Sequence, residues 1–398
     1  MPSSNTLFRS EATDPEVIHW LDRVTALAPL IEQHRDSADR QRVTGTEVMD
    51  AVRTAGLHRI WISREFGGEE LSSSTGIAVI RALARLDGSL AWQIAVQAVL
   101  GRVSDFLPES TSRKLFQDSS GLVIGGVNPA GSAEIVDGGF RLSGRWVSAS
   151  GYAHADWMLC TAFVTEAGRR QRLESGAPDI RMLLVPRSET VEHDSWHTLG
   201  LRGTGSNDFT VPGTLVPEEF TVPRDALFAP PPARPSRGYG LALFDSGPLA
   251  TAATALGIAQ DALASFYQVA MGKTAAGGTI PLTESHVAQD KTARFEMLLR
   301  SSEVLLGDTT REAVAHAEDG GDALSALIRA TAATVAENSV TAVNGLFQLA
   351  GMSSLFSPSR LERCLRDINS VTKHITLSPL HFETVGQYLL GGPLLYRR

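Results

Sequence analysis

The side chain best equipped to move a proton near neutral pH stands close to the C-terminal end. His374 lies in the run Lys373-His374-Ile375-Thr376-Leu377-Ser378-Pro379, where an imidazole can serve as a base or as a hydrogen-bond donor. His381, seven residues on, falls on about the same face of a helix and is its alternative. Two hydroxyls, Ser148 and Ser150, are two apart in a β-like run and should share a strand face, suited to holding developing charge. Trp146 precedes them, and Asn128 stands in Gly126-Val127-Asn128-Pro129, a pairing that also suits a turn. Asp245 is a carboxylate in an otherwise apolar stretch and a candidate base.

Other chemistries fail on spacing. Gly272-Lys273-Thr274 ends like a phosphate-binding loop, but Tyr267 occupies the place of its first Gly and a helix pattern precedes it. Gly203-Thr204-Gly205 has Asp208 where a dinucleotide fingerprint needs its third Gly. His193 and His197 lack the intervening Glu and the helical setting of a metalloprotease, so no metal site is expected. No nucleophile elbow occurs.

The elements that must carry these residues fall into three zones over 398 residues with a net charge of -8. That acidity argues against nucleic-acid or anionic-membrane partners. No apolar run approaches a membrane span, no signal peptide pattern opens the chain, and Cys160 and Cys364 are too few for a disulfide framework. The expectation is a cytoplasmic enzyme. Residues 1–118 read as a helical domain: Val17, Trp20, Val24, Leu27 and Ile31 follow helical spacing, and Thr44 resembles a cap for the next helix. Residues 119–228 read as short strands of a barrel or sandwich, with Asp137-Gly138-Gly139 as a hairpin turn. Residues 229–398 open with a Pro-rich linker, 228–238, and continue as a bundle of about four helices, the last near 373–391.

This α+β order resembles the acyl-CoA dehydrogenase superfamily over essentially the whole chain. Glu65-Phe66-Gly67-Gly68 resembles the family's N-terminal loop, and Gly144 to Gly151 resembles its flavin-contacting strand. Leu199 to Ser206 matches its β-domain turn. Gln348-Leu349-Ala350-Gly351 with Arg363-Cys364-Leu365-Arg366-Asp367 resembles its paired C-terminal segments. The resemblance implies an N-terminal α-domain, a central β-domain and a C-terminal four-helix bundle, assembled as a homotetramer.

Two departures shape the expected chemistry. The dehydrogenases use a Glu to take the α-proton of an acyl thioester, and its two usual positions fall here on Ile375 and Gly240. With His374 beside the vacant position, the chain looks like the flavin-dependent monooxygenase branch. That implies reduced FMN or FAD from a separate flavin reductase, oxygen as co-substrate, a C4a-hydroperoxide and an aromatic or polyketide-like small molecule. An acyl-thioester dehydrogenase or oxidase using a base such as Asp245, or an amino-sugar N-oxygenase, is the alternative. A non-catalytic member that uses the bundle for assembly is a third. The family's flavin-clamping Arg-x-x-Phe-Gly segment is reduced here to Gly272-Lys273-Thr274. By resemblance, the flavin contacts are Trp146, Ser148, Thr204, Ser206, Lys273, Arg294, Phe295, Gln348 and Gly351, with His374, Ser150 and Asn128 catalytic. Trp92 and Asp245 are expected to wall the substrate cavity.

Overall fold

A computed structural model of the chain describes residues 14–118, 122–231, 241–274, 280–357 and 359–395. Helix α1 (Pro15–Gln41) starts on a cap in which Asp14 accepts the Glu16 N–H, and it buries Trp20, Val24, Ile31 and Ala38 on one stripe. Helix α2 (Thr46–Thr54) has Gly45 at its cap with no side-chain bond. Thr44, expected there as the cap, instead donates to the Gly203 carbonyl at 3.0 Å. Helices α3 (Ser73–Leu86), α4 (Gly88–Gly101) and α5 (Glu109–Phe116) complete the first zone. Asp87 breaks α3 from α4 by accepting the Leu90 N–H at 2.8 Å.

The middle zone folds into one eight-stranded sheet. Strands β1 (Val123–Val136) and β2 (Gly139–Ala149) form the hairpin at Asp137-Gly138, whose Gly138 holds φ 82°. Then follow β3 (Trp157–Glu166), β4 (Arg169–Arg170), β5 (Ile180–Pro186), β6 (Val191–His193), β7 (Asn207–Pro217) and β8 (Thr221–Pro223). The order is β6-β7-β2-β1-β3-β5-β8, with β4 beside β3. Among the described strands only the β1–β3 pairing is parallel, and it slips between Gly126 and Gly131.

Of the Pro-rich segment 228–238, residues 232–238 lie outside the described residues. The bundle consists of α6 (Leu243–Met271), α7 (His286–Ala315), α8 (Gly321–Ala350), α9 (Arg360–Val371) and α10 (Leu380–Leu389). The single terminal helix expected near 373–391 is instead α10 alone. A short 3-10 turn, Ile375–Leu377, separates it from α9, and Pro379 stands at its cap. Contrary to the sequence reading, α6 does meet the length and hydropathy of a membrane span, at mean hydropathy 1.2. Its apolar window is 83% buried inside the protein, because α3, α4, α7, α8 and α9 all pack on it. Gly257 permits the α3 approach: a Cβ there would stand 2.4 Å from the Arg81 carbonyl oxygen.

Two large apolar cores result among the described residues, one among the helices and one behind the sheet, with a small third cluster of Ala326, Val385 and Leu394. Val96 and Val99 of α4 touch both. Helix α4 is therefore the seam, and the functional residues gather along it.

Candidate active site

At that seam lies a cavity of about 480 Å³, within the size range of small-molecule and cofactor sites. Helix α4 supplies Trp92, the sheet supplies Asn128, Trp146, Ser148 and Ser150, and α6 supplies Phe244 and Thr251. Lys373, His374 and Thr376 close it from the segment after α9, and Trp196 enters from the loop after β6. Six residues singled out in the sequence therefore meet in one place: Trp92, Asn128, Trp146, Ser148, Ser150 and His374.

Local backbone explains how the sheet residues reach the cavity. The β2–β7 register shifts between Trp146 and Ala149, and Ser148 takes a left-handed φ of 60°. Asp208 holds this bulge, accepting the Ser148 N–H at 3.2 Å and pairing with Arg145 at 2.8 Å. A bulge and a strand end thus deliver Ser148 and Ser150, not the shared strand face expected from their spacing. Trp146 is buried, stacks on Phe209 at 5.6 Å and donates to the Thr161 carbonyl at 2.8 Å. It forms the floor of the cavity and belongs equally to the core.

The serine hydroxyls form a directed relay. Trp92 Nε1 donates to Ser150 Oγ at 3.0 Å. Ser150 lies 2.7 Å from Ser206 Oγ, which lies 2.6 Å from Thr204 Oγ1. Thr204 donates to the Leu201 carbonyl at 2.7 Å. Each hydroxyl has one proton, so that last bond fixes all the others: Ser150 donates to Ser206 and Ser206 to Thr204. Ser150 accordingly offers the cavity a lone pair and no proton, which corrects the expectation of a hydroxyl donor there. Thr204 and Ser206 do not line the cavity; they anchor Ser150.

His374 faces the edge of the Trp92 ring at 5.1 Å. Burial pushes its pKa down to about 4, so the ring is neutral around pH 7. His381 does not line the cavity, and its ring turns to the backbone of Ile375 and Thr376. His374 sits before the 3-10 turn, not on a helix shared with His381, so their helical register does not apply.

The remaining expected residues lie elsewhere. Asp245 accepts both Ser325 contacts, at 2.8 and 3.0 Å, and is not a cavity wall. Lys273 donates to the Ala350 carbonyl and to Ser353 Oγ at 2.7 Å, closing the end of α8 beside Gly351. Residues 275–279 after it lie outside the described residues. Arg294 pairs with Asp290 at 2.9 Å on the surface, Phe295 packs under Gly345, and Gln348 is exposed. None of these six, Gly351 included, lines the cavity of this chain. The sequence reading missed Trp196, Thr251 and Thr376; Trp196 and Thr376 depend on a loop and a turn that side-chain periodicity does not register, and Thr251 stands in the nearly all-apolar helix α6, where periodicity does not mark one face.

The donor set suits a flavin. Trp92, Trp146, Trp196 and Phe244 supply flat apolar surface, while Asn128, Ser148, Ser150 and His374 place a few polar groups at its edge. An isoalloxazine likewise has one apolar and one polar edge.

Comparison with known proteins agrees. Residues 24–109 match the acyl-CoA dehydrogenase N-terminal domain, and residues 249–379 match the acyl-CoA dehydrogenase C-terminal domain. Indole-3-acetate monooxygenase of Pseudomonas putida is 29% identical over 375 residues, covering 92% of this chain and 93% of that protein. The FADH(2)-dependent resorcinol hydroxylase oxygenase component of Rhizobium sp. (strain MTP-10005) is 28% identical, covering 95% of each. Among solved structures, XiaF from Streptomyces sp., in complex with FADH2 and glycerol, superposes with a TM-score of 0.88 at 22% identity, covering 96% and 97%. The chain belongs to the acyl-CoA dehydrogenase superfamily, in its flavin-dependent monooxygenase branch.

Proposed function

We infer that this protein is the oxygenase component of a two-component system, hydroxylating a small aromatic molecule with reduced flavin and oxygen. The observation that carries the reading is a cavity walled by aromatic rings and a neutral His374, with no carboxylate among its lining residues. An acyl-thioester dehydrogenase needs a base there. Asp245, the candidate for that role, is held by Ser325 away from the cavity. When bound, reduced flavin supplies the activation of oxygen, and a separate reductase supplies the reduced flavin. Trp146 and Trp92 would bracket the ring system, Asn128 and Ser148 would meet its polar edge, and the aromatic walls would keep water out. Both cysteines are free and buried, which suits a reducing, cytoplasmic setting.

Lys373 sharpens the substrate class. It is the only formally charged residue among those lining the cavity, and no carboxylate pairs with it among the described residues. An aromatic ring bearing an acidic group fits such a wall, and the P. putida relative is named for an aromatic acid.

The test supplies reduced FMN or FAD, oxygen and a panel including indole-3-acetate and its amide, and measures product against hydrogen peroxide. Product formation is expected, with the acid preferred by about tenfold or more, a preference that Lys373→Met removes. His374→Ala should keep its fold, lose about 10²-fold in product formation and divert reducing equivalents to peroxide. Dehydrogenation of an acyl thioester, with no oxygenated product from any aromatic, would overturn the reading.

A further inference from the structure

The hydrogen bonds behind His374 determine which of its nitrogens carries the proton. His374 is the cap of the Ile375–Leu377 turn, and its Nδ1 accepts the Thr376 backbone N–H at 3.4 Å. Thr376 Oγ1 lies 2.7 Å from the same Nδ1 and 2.9 Å from Thr251 Oγ1. A backbone N–H can only donate, so Nδ1 presents its lone pair to the turn. The Thr376 hydroxyl then gives its single proton to Nδ1 and accepts the Thr251 proton in turn. The reverse direction would put a ring N–H against the Thr376 N–H. Thr251 also donates toward the backbone carbonyls of Gly247 and Pro248 at 3.0 and 3.1 Å, so its one proton is shared among three acceptors, and it is the Thr376 N–H on Nδ1 that sets the direction.

We propose that His374 meets the contents of the cavity as a neutral donor through Nε2–H, and that Thr376, backed by Thr251, is the positioning residue that fixes this tautomer. Nε2 has no protein partner among the described hydrogen bonds, while the ring itself lines the cavity. The groups facing the ring are Trp92 from α4 and Thr376 from the turn, with Thr251 from α6 behind Thr376, none of them charged. Lys373 is the neighbouring cation, and no carboxylate stands on any of these walls. A ring already protonated on its cavity-facing nitrogen cannot take a substrate proton there; it can donate a hydrogen bond to an oxygen atom of the bound molecules. The inference rests on the monooxygenase reading for its chemistry, but the tautomer is a property of the chain alone.

Nitrogen NMR of the protein labelled with ¹⁵N-histidine, assigned with His374→Gln, reads the tautomer without flavin or substrate. Wild type should show a pyridine-type Nδ1 and a pyrrole-type Nε2 from pH 6 to pH 8. Thr376→Val should mix the two tautomers and raise peroxide at the expense of product by about tenfold, with Thr376→Ser restoring both. Thr251→Val gives a second, independent arm should Thr376→Val fold poorly. A pyrrole-type Nδ1 in wild type, or a Thr376→Val protein with unchanged tautomer, would overturn the proposal. Correct tautomers without oxygenated product would leave it standing and remove the monooxygenase reading instead.

Discussion

At the scale of the residue, His374 shows how burial without a counter-charge selects a chemical role. Its pKa falls from 6.5 to about 4, and loss of solvation is the cause. Between those values the unfolded chain binds a proton that the folded chain refuses. Stability should therefore be complete above about pH 6.5 and decline as pH falls toward 4, by up to about 3 kcal/mol from this residue. His154 and His381 are shifted in the same direction, so the comparison must isolate one group. Urea unfolding of wild type and His374→Gln across pH 4 to 7 does so: the wild-type curve should fall more steeply on acidification, and parallel curves would refute the assigned shift. His374 was legible in the sequence because it stands beside Ile375, where the family's Glu is missing. Thr376 was not. Its value comes from a 3-10 turn that brings its hydroxyl back onto the preceding ring, and one turn leaves no periodic trace.

At the scale of the element, the Arg363-Cys364-Leu365-Arg366-Asp367 segment was conspicuous in the sequence, but its work is structural. Arg366 grips both oxygens of Asp39 on α1 at 3.0 and 3.2 Å and Glu362 at 2.6 Å. Arg363 reaches Asp36 at 3.2 Å. Asp367 accepts the Leu201 N–H at 2.6 Å, although burial pushes its pKa up to about 6. Helix α9 thereby ties α1 to the loop that carries Trp196 and ends in the Thr204–Ser206 relay. Arg366→Met leaves a largely buried Asp39 without its bidentate partner and should cost about 2–4 kcal/mol. Arg294→Met removes a surface pair and should leave the urea midpoint unchanged. Equal midpoints for the two variants would show that α9 is not the brace. The bulge at Ser148 lay equally beyond the sequence, since Asp208, which holds it, is sixty residues away.

At the scale of the whole molecule, the order of helices, sheet and bundle was readable because two changes of hydrophobic period mark it. What one chain's periodicity does not reveal is which apolar side chains remain uncovered. Met352, Leu355 and Phe356, following α8, are 72%, 61% and 62% exposed, and Leu389 and Leu390 at the end of α10 are 75% and 91% exposed. Scattered exposed apolar residues need no explanation, but such runs at two helix ends are the kind of patch that suits a contact with another chain. We read them as contacts of a homotetramer, with the Lys273–Gly351 corner close by; Lys273 Nζ stands 3.5 Å from where a Gly351 Cβ would lie. Sedimentation velocity should show an oligomer for wild type at micromolar concentration. Phe356→Asp combined with Leu390→Asp should shift it to smaller species, because each carboxylate would have to lose its water to re-form the contact. The hydrogen bonds that orient the His374 ring are made within one chain, so the dissociated variant should keep the wild-type nitrogen spectrum of His374. If it also keeps the wild-type affinity for reduced flavin, then no neighbouring subunit shares in holding the cofactor. A monomeric wild type would remove the tetramer and leave the exposed runs to a different partner.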